Sequence, residues 1–196
     1  QQIYRYESAT GKTTLVSRTS SGDPGNDDST NPTLSYNGRY VAYLTRSSDI
    51  ATGLSSGQTA AILYDTLTGT TTRINTTKVG VTGDGSVSGV ALSANGRFVS
   101  FSDTSSNMVL NDSNNESDIF VKDMQRGDIA RISVGPNGLE ANEQNLDPAL
   151  AGSSLTSLTS SIAFRSLATN LTGSSTASGV GDIFSNTAKF SPAALS

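Results

Sequence analysis

Leu34-Ser35-Tyr36-Asn37-Gly38-Arg39-Tyr40-Val41-Ala42-Tyr43 returns as Leu92-Ser93-Ala94-Asn95-Gly96-Arg97-Phe98-Val99-Ser100-Phe101, an offset of 58 residues. The same offset carries Asp65, Gly69, Arg73 and Ile74 onto Asp123, Gly127, Arg131 and Ile132. Upstream it aligns Glu7, Gly11 and Val16 with Asp65, Gly69 and Ile74, so the chain enters partway through a unit. Downstream, Pro148-Ala149-Leu150 follows Val90-Ala91-Leu92 at 58, but Phe164 stands 14 residues past Leu150 where Phe101 stands 9 past Leu92. An insertion within 151–160 is the expected cause. A period of this length signals repeated supersecondary units that bury their apolar faces against their neighbours.

Within each period the residues read as four short antiparallel strands. Asn37-Gly38 and Asn95-Gly96 are predicted to supply the two positive-φ residues of a type I′ hairpin turn after a first strand near Leu34 or Leu92. Second strands are expected over 40–44, 98–102 and 161–164, with aromatic or β-branched residues on both faces, as in a sheet sandwiched between others. Third strands fall at 3–7, 61–65, 119–123 and 182–185. Turns holding Gly11, Gly69 or Gly127 then lead into fourth strands ending near Val16, Ile74 and Ile132, with a further candidate at 189–191. Four strands per period without helical patterning describe an all-β chain of β-propeller blades. The units run 1–30 (the end of one blade and a connection), 31–88, 89–146 and 147–196, the last partial or irregular.

These residues resemble the TolB-like (WD-like) β-propeller repeat of bacterial periplasmic and extracellular proteins. The resemblance rests on Pro32, Leu34-Ser35, Asn37-Gly38-Arg39, Val41-Ala42-Tyr43, Thr68-Gly69 and Asp118-Ile119-Phe120-Val121-Lys122-Asp123, and it covers nearly the whole chain. It implies a fold and an extracellular, cell-surface or periplasmic setting, and says little of function, because propellers host binding, scaffolding and catalysis alike. Closed propellers have at least about four blades. Two complete units flanked by two partial ones therefore point to a segment of a longer propeller, or to one completed by another copy.

Composition excludes several chemistries. With 13 basic against 17 acidic residues and a formal charge of −4, there is no basic stripe for nucleic acid or an anionic membrane. No apolar run is long enough for membrane insertion as a helix. The start at Gln1-Gln2 lacks a charged, then apolar, leader, so a removed leader or a start inside a longer protein is expected. Without cysteine there are no disulfides or thiolates, and without histidine no Ser-His-Asp triad. No Gly-x-Ser-x-Gly nucleophile elbow is present.

The sharpest local pattern is Asp112-Ser113-Asn114-Asn115-Glu116-Ser117-Asp118, where Asp112, Asn114, Glu116 and Asp118 stand at alternate positions. Such a loop can offer a Ca²⁺ ion its oxygens. It is no EF-hand, because Ser117 replaces the required glycine and Asp123 belongs to a strand. The alternative is a solvated turn in which Asp118 and Asp182 cap backbone N–H groups. A second acidic loop holds Asp23, Asn26, Asp27 and Asp28, matched two units on by Glu140, Asn142 and Glu143. It reads as a recognition face or as an ordinary charged surface connection. Tyr4, Tyr6, Tyr36, Tyr40, Tyr43 and Tyr64 would stack on sugars if they shared a surface, but strand positions favour packing. Arg39, Arg97, Arg73 and Arg131 repeat at 58 and so belong to the blade design. Asn-x-Ser/Thr triplets at Asn75, Asn111, Asn115 and Asn170 are what so Asn- and Ser-rich a chain yields by chance.

The expected function is a non-enzymatic binding or structural module of a secreted or cell-surface bacterial protein, with Ca²⁺ as a candidate stabiliser. Its expected partners are a protein, another copy engaged through the open edges near 3–7 and 182–185, or a polysaccharide. The alternative is a carbohydrate-active enzyme, a glycoside hydrolase or lyase, using a carboxylate pair at the propeller axis.

Overall fold

The computed structural model describes residues 1–151, 159–172 and 181–189. Four antiparallel sheets follow one another along the chain. The first pairs β1 (Tyr4–Glu7) with β2 (Lys12–Leu15). The second runs β3 (Ser29–Leu34), β4 (Tyr40–Thr45), β5 (Ala60–Asp65), β6 (Thr70–Arg73), each beside the next. The third repeats this order with β7 (Val87–Leu92), β8 (Phe98–Asp103), β9 (Asp118–Asp123) and β10 (Ile129–Arg131). The fourth joins β11 (Asn145–Leu150), β12 (Thr159–Ser166) and β13 (Asp182–Lys189). The only helical piece among the described residues is a short 3-10 turn at Pro136–Gly138.

Strand alternation explains the stacking, because successive side chains leave opposite faces of a sheet. Ala42, Leu44, Ala61 and Leu63 meet Val99, Phe101 and Phe120 between the second and third sheets. Val41, Tyr43, Ile62 and Tyr64 turn the other way, onto Ile3 and Val16 of the first sheet. Phe98, Ile119 and Val121 likewise meet Ile162 and Phe164 of the fourth. Strands β8 and β9 are buried along their whole length, which is why they carry no polar-out alternation. The first strands of successive sheets adjoin, β3 beside β7 and β7 beside β11. Among the described residues the sheets do not close into a ring.

The 1→2 turn differs from expectation. Gly38 and Gly96 have φ of 67° and 75°, but Asn37 and Asn95 are not among the positive-φ residues. Gly38 N donates to Ser35 O at 2.9 Å and Ser35 N to Tyr40 O at 3.0 Å, so the turn is type I followed by a left-handed glycine. The asparagine is selected for its side chain instead. Asn37 Oδ1 accepts from Ser35 Oγ and Arg39 N, and Asn95 Oδ1 does the same from Ser93 Oγ and Arg97 N. The 3→4 turns follow the expectation: Gly11, Gly69 and Gly127 have φ of 70°, 72° and 75°, and each donates its N–H to the carbonyl four residues back.

Lys189 lies in β13, paired with Thr159, and does not open a fourth strand; 190 and 191 lie outside the described residues. The insertion expected within 151–160 also falls largely outside them, at 152–158. Each of β3, β7 and β11 carries a bulge. Register shifts occur around Asn31, Gly89 and Asp147, which are spaced at 58. Asn31 and Asp147 have φ of 52° and 53° there, a conformation asparagine, aspartate and glycine tolerate best.

Candidate functional site

The loop singled out for calcium closes around a guanidinium. Arg131, from the end of β10, places Nη1 3.0 Å from Asp112 Oδ1, 3.2 Å from Asp118 Oδ2 and 2.7 Å from Glu140 Oε1. Its Nη2 donates to Asn111 O at 2.9 Å. Glu140 also accepts from Ser113 N and Oγ, tying the loop to the connection that follows β10. Asn114 Nδ2 donates to Asp118 Oδ2 and Ala141 O, while its Oδ1 accepts from Glu116 N. Asp112, Asn114 and Asp118 are thus drawn together, whereas Glu116 enters the network through its backbone. Among the described residues no group of three or more acidic side chains is arranged as a metal cage.

Asp118 caps no backbone N–H in this network. Its Oδ1 accepts from Ser133 Oγ at 2.6 Å and Asn145 Nδ2 at 3.2 Å. Burial raises its pKa, opposed by Ser133 and Arg131. The Asp112 side chain is only 4% exposed, and its Oδ2 is buried without a hydrogen-bond partner. Burial, reinforced by the Asp118 charge and opposed by Arg131, raises its pKa to about 6.

Arg73, one period earlier, shows what the fourth-strand arginine is for. Its Nη1 donates to Gly53 O, the counterpart of Asn111 O, and its Nε donates to Asn75 Oδ1 at 2.9 Å. Both arginines therefore pin the loop between second and third strands. Arg39 and Arg97 clamp the other end of the sheet, reaching Asp65 and Asp123 across the second and third strands at 2.7 and 2.6 Å. The Arg39 hydrogen bonds lower the Asp65 pKa to about 2.

The second acidic loop is also tied to its neighbours by hydrogen bonds. Asn26, Asp84 and Asn142 recur at 58 and bracket the loop after the next second strand. Asn26 Oδ1 accepts from Ser48 N, Asp84 Oδ1 from Ser106 N and Asn142 Oδ1 from Thr169 N. Their own backbone N–H groups donate to the side chains of Asp49, Asn107 and Asn170. Composition drew attention to the acidity of these connections. The recurring signal was the 58-residue spacing of one Asn or Asp.

No family model matches the chain, and no curated protein matches it in sequence. Solved structures do. The chain superposes on the tricorn protease with a TM-score of 0.52 at 19% identity, covering 85% of this chain and 17% of that one. It also matches TolB from Acinetobacter baumannii (TM-score 0.49, 14% identity, 94% of this chain and 34% of that one). The chain thus spans about a third of TolB and under a fifth of the tricorn protease. The sheets are β-propeller blades.

In a propeller the first strands line the axis. Across β3, β7 and β11 the only carboxylate is Asp147, which pairs with Arg165 at 2.9 Å. These three strands thus carry one carboxylate between them, and it is held in an ion pair. The tyrosines divide. Tyr43 and Tyr64 are buried between blades, and Arg18 of the first blade donates to Tyr64 Oη at 2.6 Å while lying over its ring. Tyr4, Tyr6 and Tyr36 are exposed. Tyr4 and Tyr6 share the outer face of the first blade, and Tyr36 sits on a turn.

Proposed function

We propose that this chain is a non-enzymatic binding or structural module whose partners engage its open end blades. One observation carries this. The side chains that repeat at 58 residues are spent holding blade to blade and loop to strand, whereas Tyr4 and Tyr6 of the first blade and Ile183 of the last remain exposed. The TolB-like resemblance extends the reading to a secreted, cell-surface or periplasmic bacterial protein, which fractionation of the source cells checks. Incubation with a panel of polysaccharides should release no new reducing ends or unsaturated products. Turnover lost on replacing one carboxylate pair would overturn the proposal in favour of a carbohydrate-active enzyme.

Calcium is a second element of the proposal, favoured by the unpartnered Asp112 Oδ2 in a cluster where three carboxylates share one guanidinium. A cation at this oxygen would offset the surplus charge and raise Tm by mass action as its concentration passes Kd. The increment should disappear in Asp112→Asn and persist in Asp27→Asn. A Tm equal in saturating calcium and in chelator would show that Arg131 alone neutralises the loop.

A further inference from the structure

We propose that Asn137 is a site of spontaneous covalent modification, losing its side-chain amide to become aspartate or isoaspartate, while the turns at Asn37 and Asn95 hold those residues intact.

The chain contains three identical dipeptides, Asn37-Gly38, Asn95-Gly96 and Asn137-Gly138. In each, the backbone nitrogen after the asparagine belongs to glycine, so no Cβ shields it and the backbone turns freely about it. That nitrogen gives up its proton to water and attacks the asparagine Cγ. The N–Cγ bond forms, the Cγ–Nδ2 bond breaks, and Nδ2 takes up a proton and leaves as ammonia. Water then opens the five-membered imide at one carbonyl or the other, giving aspartate or isoaspartate. Nothing besides water is consumed. Because Cγ and the glycine nitrogen must swing together, each turn sets its own rate.

Two of the turns resist. Asn37 Oδ1 accepts from Ser35 Oγ at 2.9 Å and Arg39 N at 3.1 Å, and Asn95 Oδ1 from Ser93 Oγ at 2.7 Å and Arg97 N at 3.0 Å. Backbone bonds from Ser35 N to Tyr40 O and from Ser93 N to Phe98 O close the same two turns. Gly96 is itself buried, and the Tyr40 ring stands where its Cβ would be, so that peptide has no room to rotate. Asn137 is free of these restraints. It is exposed on the 3-10 turn with a left-handed φ of 59°, and its side chain makes no hydrogen bond among the described residues. Gly138 N donates to Gly135 O at 3.1 Å, and nothing lies within 4 Å of where a Cβ on Gly138 would stand. Asn137 also shares a cavity wall with Arg131 and Glu140. Conversion there adds a carboxylate beside an ion-pair cluster already rich in them, so the chain grows more acidic at this cavity as it ages.

The whole native chain, aged at mildly alkaline pH beside a sample unfolded in urea, tests the proposal. Cleavage after Lys and Arg places the three asparagines in separate segments, 19–39, 79–97 and 132–165, which mass spectrometry reads individually. In urea all three should convert alike. In the native chain Asn137 should convert at close to its unfolded rate, with isoaspartate accompanying aspartate, while Asn37 and Asn95 fall at least about tenfold below theirs. Native Asn37 or Asn95 converting as fast as Asn137, or a native Asn137 that stays intact while its unfolded counterpart converts, would overturn the proposal. Aspartate at position 137 without isoaspartate would overturn the imide step.

Discussion

Gly38 and Gly96 occupy the same repeat position with the same left-handed φ, yet their surroundings differ. A Cβ on Gly96 would run into the Tyr40 ring of the preceding blade, while one on Gly38 would come no nearer than 3.6 Å to Arg5 Nη2. Gly38→Ala should therefore cost only the backbone term, about 1–2 kcal/mol. Gly96→Ala should cost more, because the clash adds to the same strain, and urea midpoints will rank the two. Asp112 gives a pH test. Its folded-state pKa of about 6 lies above the ordinary 3.8, so the folded chain holds this proton more tightly than the unfolded one. Its contribution to stability then falls as pH rises through that window and stays low above it. In chelator, Asp112→Asn should raise Tm at about pH 7.5 and leave it unchanged near pH 3.5.

The hairpin clamp between second and third strands recurs with different burial. Asp123 is fully buried and accepts from Arg97 as well as from the N–H groups of Gln125 and Arg126. Asp65 is partly exposed and accepts from Arg39 and Leu67 N. Removing one partner of a buried pair strands the other and costs about 3–5 kcal/mol, whereas a partly solvated pair loses less. Asp123→Ala should thus destabilise the chain more than Asp65→Ala by chemical denaturation. For Asp65 the pair stabilises above the ordinary carboxylate pKa, and that stability is lost as pH falls toward about 2.

Over the whole molecule, stability should be graded along the stack, since each blade is held chiefly by its neighbours. Among the described residues, the second and third blades are covered on both faces and the first and last on one. Amide exchange should be slowest in β4, β5, β8 and β9 and fastest in β1, β2 and β13. Uniform protection across all four blades would contradict the gradient.

The 58-residue repeat made the four-stranded unit and the strand order legible from residues alone, because a blade packs only on copies of itself and its pattern must recur. Arg73 and Arg131 were recognisable as parts of that design for the same reason. The turn type was not legible, since Asn-Gly suits a type I′ turn and equally a type I turn whose asparagine caps the serine and arginine beside it. Nor was the first-strand bulge, although Asn31, Gly89 and Asp147 mark it at one repeat position. The loop from Asp112 to Asp118 shows the division most sharply. Its composition announced surplus negative charge, but the main counter-charge comes from Arg131, 13 residues beyond Asp118 and on another strand. Antiparallel pairing of β9 with β10 brings the two ends together, and only that three-dimensional return decides how far the cluster is neutralised.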